Sequence, residues 1–328
     1  MICNKTMNAK SGPTMESTTD KLAREIFETM IQAHGVKAGF RPVHAKGIVC
    51  QGTFASTKQA KALSKAAHFQ GTPVPVTVRF SDGGADPTLP DNSPDNGPRG
   101  MAVRFHLPGN GMADIVAISH NGFIVGTGEE FLALQKAIVA TDPSKPHPWP
   151  VEQFLGAHPL ALKFVTEIRG VPASFGTEAF FSNNSFVFVN QEGTRQAVRY
   201  QILPVAGRRD LSEAEAKARS ANYLVEEIKT RVASGPVQFR LLVQLPNRGD
   251  LTHDPSLVWP DDRKTIEAGT ISITSIAADS AGQERQLVFD PMHLTDGVEV
   301  SDDTLPALRA KVYSLSASRR MSEAKAKG

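Results

Sequence analysis

Cysteine is scarce in this chain. Two occur in 328 residues, Cys3 near the N-terminus and Cys50 in an apolar segment, which excludes a disulfide framework and suits thiols kept reduced. No apolar run approaches the ~18 residues of a membrane span, and the opening MICNKTMNAKSGPTMES has no charged start followed by an apolar stretch, so neither a membrane protein nor a signal peptide is expected. Charge of one sign is also missing: 36 Lys and Arg against 34 Asp and Glu leave a formal +2. Without a basic run there is no footprint for nucleic acid or an anionic membrane. These absences predict a cytoplasmic protein. The histidines, including His34, His68, His106, His147, His158, His253 and His293, show no HxxxH spacing and the cysteines no CxxC, so no separate metal site is expected.

The apolar spacing supplies the elements. TTDKLAREIFETMIQAHG places Leu22, Ile26 and Met30, with Phe27 and Ile31, at helical intervals between a Thr/Asp cap and Gly35. Residues 1–17 before it read as an N-terminal arm, and 18–328 as one domain with no linker or repeat. From residue 43 the texture turns to short β-rich runs, VHAKGIVCQGTF, PVPVTVRF, GMAVRFHL and ADIVAIS, divided by Gly, Pro, Asn and Asp. Four in succession suggest an antiparallel meander. Residues 129–170 read as helical with a break at PSKPHPWP, and SFVFVNQEGTRQAVRYQIL as a strand pair about a Gln-Glu-Gly turn. LSEAEAKARSANYLVEEIKTRVASG reads as one helix from Asp210 or Ser212 to Gly235. FRLLVQL, TISITSI and QLVFD read as strands, and the chain from about Pro306 as a helix. Many strands without βαβ alternation predict an α+β fold on an antiparallel sheet or barrel.

Local motifs go further than periodicity. RPVHAKG (41–47), VRFS (78–81), PRGMAVRF (98–105), VWP (258–260), FDP (289–291) and RAKVY (309–313) resemble the haem catalase family in order and roughly in spacing, from about Arg41 to Arg320. The resemblance implies an antiparallel β-barrel core with peripheral helices. It implies haem b as cofactor, His44 as the distal histidine, Ser81 as the hydroxyl on its far nitrogen, and Tyr313 as the axial iron ligand. Arg309 would pair with that tyrosine, Arg41, Arg79 and Arg320 would hold the propionates, Val43 would sit above the ring, and Phe131 near the distal channel.

The residue types suit these tasks on their own chemistry. A near-neutral imidazole takes a proton from a peroxide oxygen and returns it to the departing one. A hydroxyl on its other nitrogen fixes tautomer and orientation. Arg309 lies four residues before Tyr313, on one face of a helix. Taken singly, a histidine near a strand start or a tyrosine on an apolar helix face is more often structural, and an arginine is more often a surface ion-pair partner.

The sequence departs from full catalases at DIVAISHNGF (114–123), where an orienting asparagine is expected; the position falls on Ser119, Ile118 or Asn121. The chain also ends soon after the Tyr313 helix, so the C-terminal helical domain and its NADPH site are expected to be absent. A core of this length resembles the catalase-related peroxidase branch, which implies reduction of organic hydroperoxides, with hydrogen peroxide as a further substrate, through a ferryl intermediate and an organic electron donor. True catalase activity, a fatty-acid hydroperoxide isomerase and a non-catalytic haem-binding protein are the other readings. By analogy with the family, a homo-oligomer is expected.

Overall fold

A computed structural model describes residues 17–35, 37–167 and 170–325, so the expected N-terminal arm lies outside the described residues as far as residue 16. Helix α1 (Thr18–His34) starts at Ser17, whose Oγ accepts from the Asp20 N–H at 3.2 Å, and stops at Gly35 in the left-handed region at φ 57°. The cap is therefore one residue earlier than the Thr/Asp pair suggests.

Eight strands close into a barrel: β1 (Gly47–Ser56), β2 (Val74–Ser81), β3 (Gly100–Leu107), β4 (Gly111–Ile118), β5 (Phe180–Val189), β6 (Arg195–Pro204), β7 (Val237–Gln244) and β8 (Thr265–Ile276). Their order is β5-β4-β3-β2-β1-β8-β7-β6, every pairing antiparallel, and β5 pairs with β6 to close the ring. Closure removes the exposed edges that an open sheet would present. A short strand, Val298–Val300, adds to the outside of β5.

Strand alternation divides the side chains between two compartments. Val76, Val78 and Phe80 of β2, Met101, Val103 and Phe105 of β3, and Ile115 and Ala117 of β4 belong to the main core with Phe54, Phe175, Phe188 and Phe239. Arg79, Ser81, Gly100, Ala102, Val116 and Ile118, the residues between them, turn outward and line a cavity. That cavity is roofed by α1 and by helix α8 (Leu305–Lys325). These two helices and α2 (Gly128–Ala140) share a second apolar cluster of Ala23, Ile26, Phe27, Met30, Leu132, Leu305, Leu308 and Val312. Helices α3 (Pro150–Ala157) and α4 (Pro159–Thr166) follow the proline-rich break. No helix among the described residues is long and apolar enough to cross a membrane.

Two local expectations fail. QLVFD is not a strand: helix α7 (Ser280–Gln286) takes its first residue, Gln286, and 287–290 run on without pairing. The helix expected over 210–235 is two, α5 (Glu213–Lys217) and α6 (Tyr223–Ser234). The break has a tertiary cause. The Ala221 carbonyl accepts from the Asp91 N–H at 2.9 Å and from Lys46 Nζ at 3.1 Å, while the Leu224 N–H donates to Asp91 Oδ2 at 2.7 Å. Backbone groups spent on a buried aspartate cannot continue a helical ladder.

Cys50 is fully buried and its thiol is pushed up to about 12 by desolvation, so it is an unreactive core residue. His68 is also buried, 4.0 Å between ring centroids from Phe69 and 4.6 Å from Phe105, with Nδ1 making no hydrogen bond. Burial pushes its pKa down to about 3. The unfolded chain takes up a proton near pH 6.5 that the native ring refuses, so stability from this group is present above 6.5 and is lost as pH falls toward 3. Changing His68 to Phe should remove that dependence. Between pH 7 and 4 the wild type is expected to lose about 2–4 kcal/mol more than the variant, readable in thermal melts at the two pH values.

Candidate active site

His44 lies between α1 and β1 in the left-handed backbone region, at φ 54°. A non-glycine residue persists there only when its surroundings hold it. The His44 N–H donates to Gly83 O and the Ala45 N–H to Gly84 O, each at 3.0 Å, and the Asp82 N–H returns a bond to Lys46 O at 3.0 Å. This backbone pairing fixes the turn against the segment leaving β2.

The ring is held by Nδ1, which lies 3.1 Å from Ser81 Oγ and 3.0 Å from the Asp82 carbonyl oxygen. A carbonyl can only accept, so Nδ1 carries the proton and Nε2 keeps the lone pair. Ser81 is where the sequence predicts it, and Asp82 O is a partner that residue type could not reveal. Burial, then the charges of Arg79, Arg309 and Arg41, push the imidazole pKa down to about 4, against the Asp82 bond that raises it. His44 is therefore neutral at pH 7. Gly100 of β3 lets the ring lie flat on the sheet: a Cβ there would come 2.7 Å from Ser81 Oγ and 3.0 Å from His44 Nδ1.

Tyr313 lines the same cavity from α8. Arg309 Nε and Nη2 donate to its phenol oxygen at 3.0 and 2.8 Å, one helical turn apart as the spacing predicts. Two residues not foreseen anchor that guanidinium. Arg309 Nη1 donates to Asn184 Oδ1, Asn184 Nδ2 donates to Asp303 Oδ2 at 2.8 Å, and Asp303 Oδ1 accepts from the Leu305 N–H at the start of α8. Asn184 is 125 residues from Arg309, and nothing in its local sequence marks it.

Arg41, Arg79 and Arg320 meet at one end of the cavity, as expected, but a fourth charge joins them. Glu284 of α7 accepts from Arg79 Nε at 2.9 and 2.7 Å and from Arg41 Nη1 at 2.9 Å. Arg41 Nη2 donates to Leu287 O at 2.9 Å, and Arg320 Nη1 to Ser316 Oγ at 3.0 Å. Burial would raise the Glu284 carboxyl, but Arg79 and then Arg41 outweigh it and hold it below the usual range. One carboxylate among three guanidinia leaves two positive charges uncompensated. Burial, then their mutual repulsion, depresses Arg41 and Arg320. Arg79 spends Nε and Nη2 on Glu284 and on the His44 carbonyl, which leaves Nη1 without an acceptor among the described residues. This end of the cavity suits a dianionic group.

Between the arginines and the two aromatic side chains the walls are apolar: Met30, Val43, Met101, Ala102, Val116, Ala117, Leu287 and Phe289. An apolar slot with a phenol oxygen, an imidazole and an arginine end fits haem by the chemistry of its lining. Phe131 does not reach it. Its ring stacks on Phe123, centroids 5.9 Å apart, and Phe123 lies beside Arg309, because α2 turns its apolar face to α1 and α8. Of the three positions considered for the orienting amide, only Ile118 lines the cavity. Ser119 Oγ accepts from the Arg99 N–H at 2.9 Å, and Asn121 is not part of the wall.

Among the described residues no cluster of three or more His, Cys, Asp or Glu could hold a bare metal ion. The family described as catalase matches residues 11–326. The chain belongs to the catalase family, and is an oxidoreductase acting on peroxide with haem as its cofactor. Within that family it is similar to the catalase-related peroxidase of Mycolicibacterium paratuberculosis, 35% identical over 289 residues that cover 87% of this chain and 90% of the relative. It is also similar to that of Synechococcus elongatus, 32% identical over 300 residues that cover 90% and 88%. In fold it resembles a fungal catalase, with a TM-score of 0.75 at 21% identity over 87% of this chain. The match spans 60% of that catalase's length.

Proposed function

We propose that the protein is a haem b peroxidase that reduces organic hydroperoxides, and also hydrogen peroxide, at the expense of an organic donor. The observation that carries this reading is the wall beside His44. Gly100, Ala102, Val116 and Ile118 present no amide or hydroxyl to the cavity. An alkyl group finds apolar surface there, while a second hydrogen peroxide finds no group to orient it.

In this reading Tyr313 would hold the iron through its phenol oxygen, on which two Arg309 N–H groups converge. Arg41, Arg79 and Arg320 would hold the propionates, and Val43 would pack against the ring. Haem, when bound, would supply the iron centre and the electrons for O–O cleavage. His44 Nε2 accepts the proton of the hydroperoxide and hands it to the departing oxygen, which leaves as alcohol. Ser81 and Asp82 O keep Nδ1 protonated, so Nε2 is free for both steps.

The test compares oxygen release from hydrogen peroxide with dye oxidation driven by cumene hydroperoxide, on the haem-loaded protein. Dye oxidation should dominate; vigorous oxygen release without it would overturn the assignment. Gly100→Ala should lower the peroxide reaction rate by about 10–100-fold, because His44 or Ser81 must shift by tenths of an ångström, with the Soret spectrum unchanged. An unaltered rate would show that the ring tolerates displacement.

A further inference from the structure

Behind His44, on the side away from the cavity, four charged side chains are buried together. Asp82 is 2% exposed and Asp91 0%, Arg99 is 4% exposed, and the Lys46 side chain is 12% exposed. Lys46 Nζ pairs with Asp91 Oδ1 and lies 3.9 Å from Asp82 Oδ2. Arg99 Nε lies 3.7 Å from Asp82 Oδ1, and its Nη2 donates to the Asp91 carbonyl at 2.7 Å. None of the four lines the cavity.

Burying four charges is costly, and an apolar replacement of equal volume is often as stable or more so. What such a cluster does well is to specify one arrangement, and here each member is tied to the catalytic turn. Asp82 supplies the carbonyl that holds His44 Nδ1, Lys46 is two residues after His44, and Arg99 precedes Gly100, against which the ring lies. The link between β2 and β3, residues 82–99, contains no strand, so no sheet ladder fixes it. Asp91 fastens its middle to the Ala221–Leu224 backbone. Burial, then the neighbouring Asp91 carboxylate, raises the Asp82 carboxyl above the usual range. An asparagine copies the shape of Asp82 without its charge.

We propose that Lys46, Asp82, Asp91 and Arg99 are positioning residues that clamp the 44–46 turn onto the 82–84 segment and thereby keep His44 in the Nδ1–H form with Nε2 free. The proposal rests on the reading of His44 as the proton-transfer group, but its first readout does not. In the full-length protein without haem, the Nδ1 proton of His44 should give a slowly exchanging signal by nitrogen-15 NMR. Asp82→Ala should speed that exchange at least 10-fold and mix the two tautomers. With haem bound it should slow the peroxide reaction by about 10–100-fold while the Soret band stays in place, and Asp82→Asn should recover most of both losses. If Asp82→Ala does not fold, Lys46→Met is read in the same way. Wild-type exchange and tautomer in the alanine or methionine variant would overturn the clamp. A changed tautomer with an unchanged peroxide rate would leave the clamp standing and sink the role of His44 instead.

Discussion

His44→Ala is expected to slow the reaction with hydroperoxide by about 10²–10⁴-fold, the usual contribution of a positioned acid–base group, without loss of haem. The cavity would keep its arginine end, its apolar walls and Tyr313, so binding and proton transfer separate cleanly. A stopped-flow record of the Soret change on mixing measures the rate. The wild-type enzyme carries a second signature. Because burial and the neighbouring arginines push the imidazole pKa down to about 4, Nε2 stays unprotonated over the neutral range and the rate should be level there. It should fall only as pH drops through about 4, where the ring gains its second proton and can no longer accept one. An acid limb near 6.5 would mean a solvated histidine and a different base.

The largest effect on cofactor retention is expected at the opposite face. Tyr313→Phe removes the oxygen on which Arg309 Nε and Nη2 converge, and the protein should lose haem or bind it with a shifted ferric spectrum. Changes behind a ligand typically cost about 10–100-fold in affinity, so loss of the proposed ligand should exceed that. Arg309→Gln belongs to the milder class and should keep a weakened complex. Haem transfer to an acceptor globin, followed by absorbance, ranks the three proteins. Retention and spectrum identical to wild type in Tyr313→Phe would place the axial bond elsewhere.

Much of this centre could be read from residue order. Arg309 and Tyr313 are four apart in a helical pattern, and the structure joins them by two hydrogen bonds; the VRFS and RPVHAKG segments bring Ser81 to His44 across 37 residues. The misreadings share one origin. The 210–235 stretch has helical composition throughout, yet Asp91 and Lys46 draw off the Ala221 and Leu224 backbone groups. QLVFD carries a short apolar run that suits a strand but finds no partner edge in a barrel that is already closed.

Residue spacing pointed to the antiparallel class, and the resemblance carried by six motifs implied the family and the chemical types at the centre. Period-two and period-3.6 patterns are local, and each element writes its own. They could not tell which outward face of β2, β3 and β4 meets α8, or that Glu284 partly neutralises the arginines. Nor could they show that Asn184 and Asp303 brace Arg309, or that Asp82 contributes a carbonyl to His44. Those pairings join groups far apart in the chain through backbone atoms and buried charges that carry no sequence signature. Packing selects them, because a buried polar group left without a partner is too costly to keep.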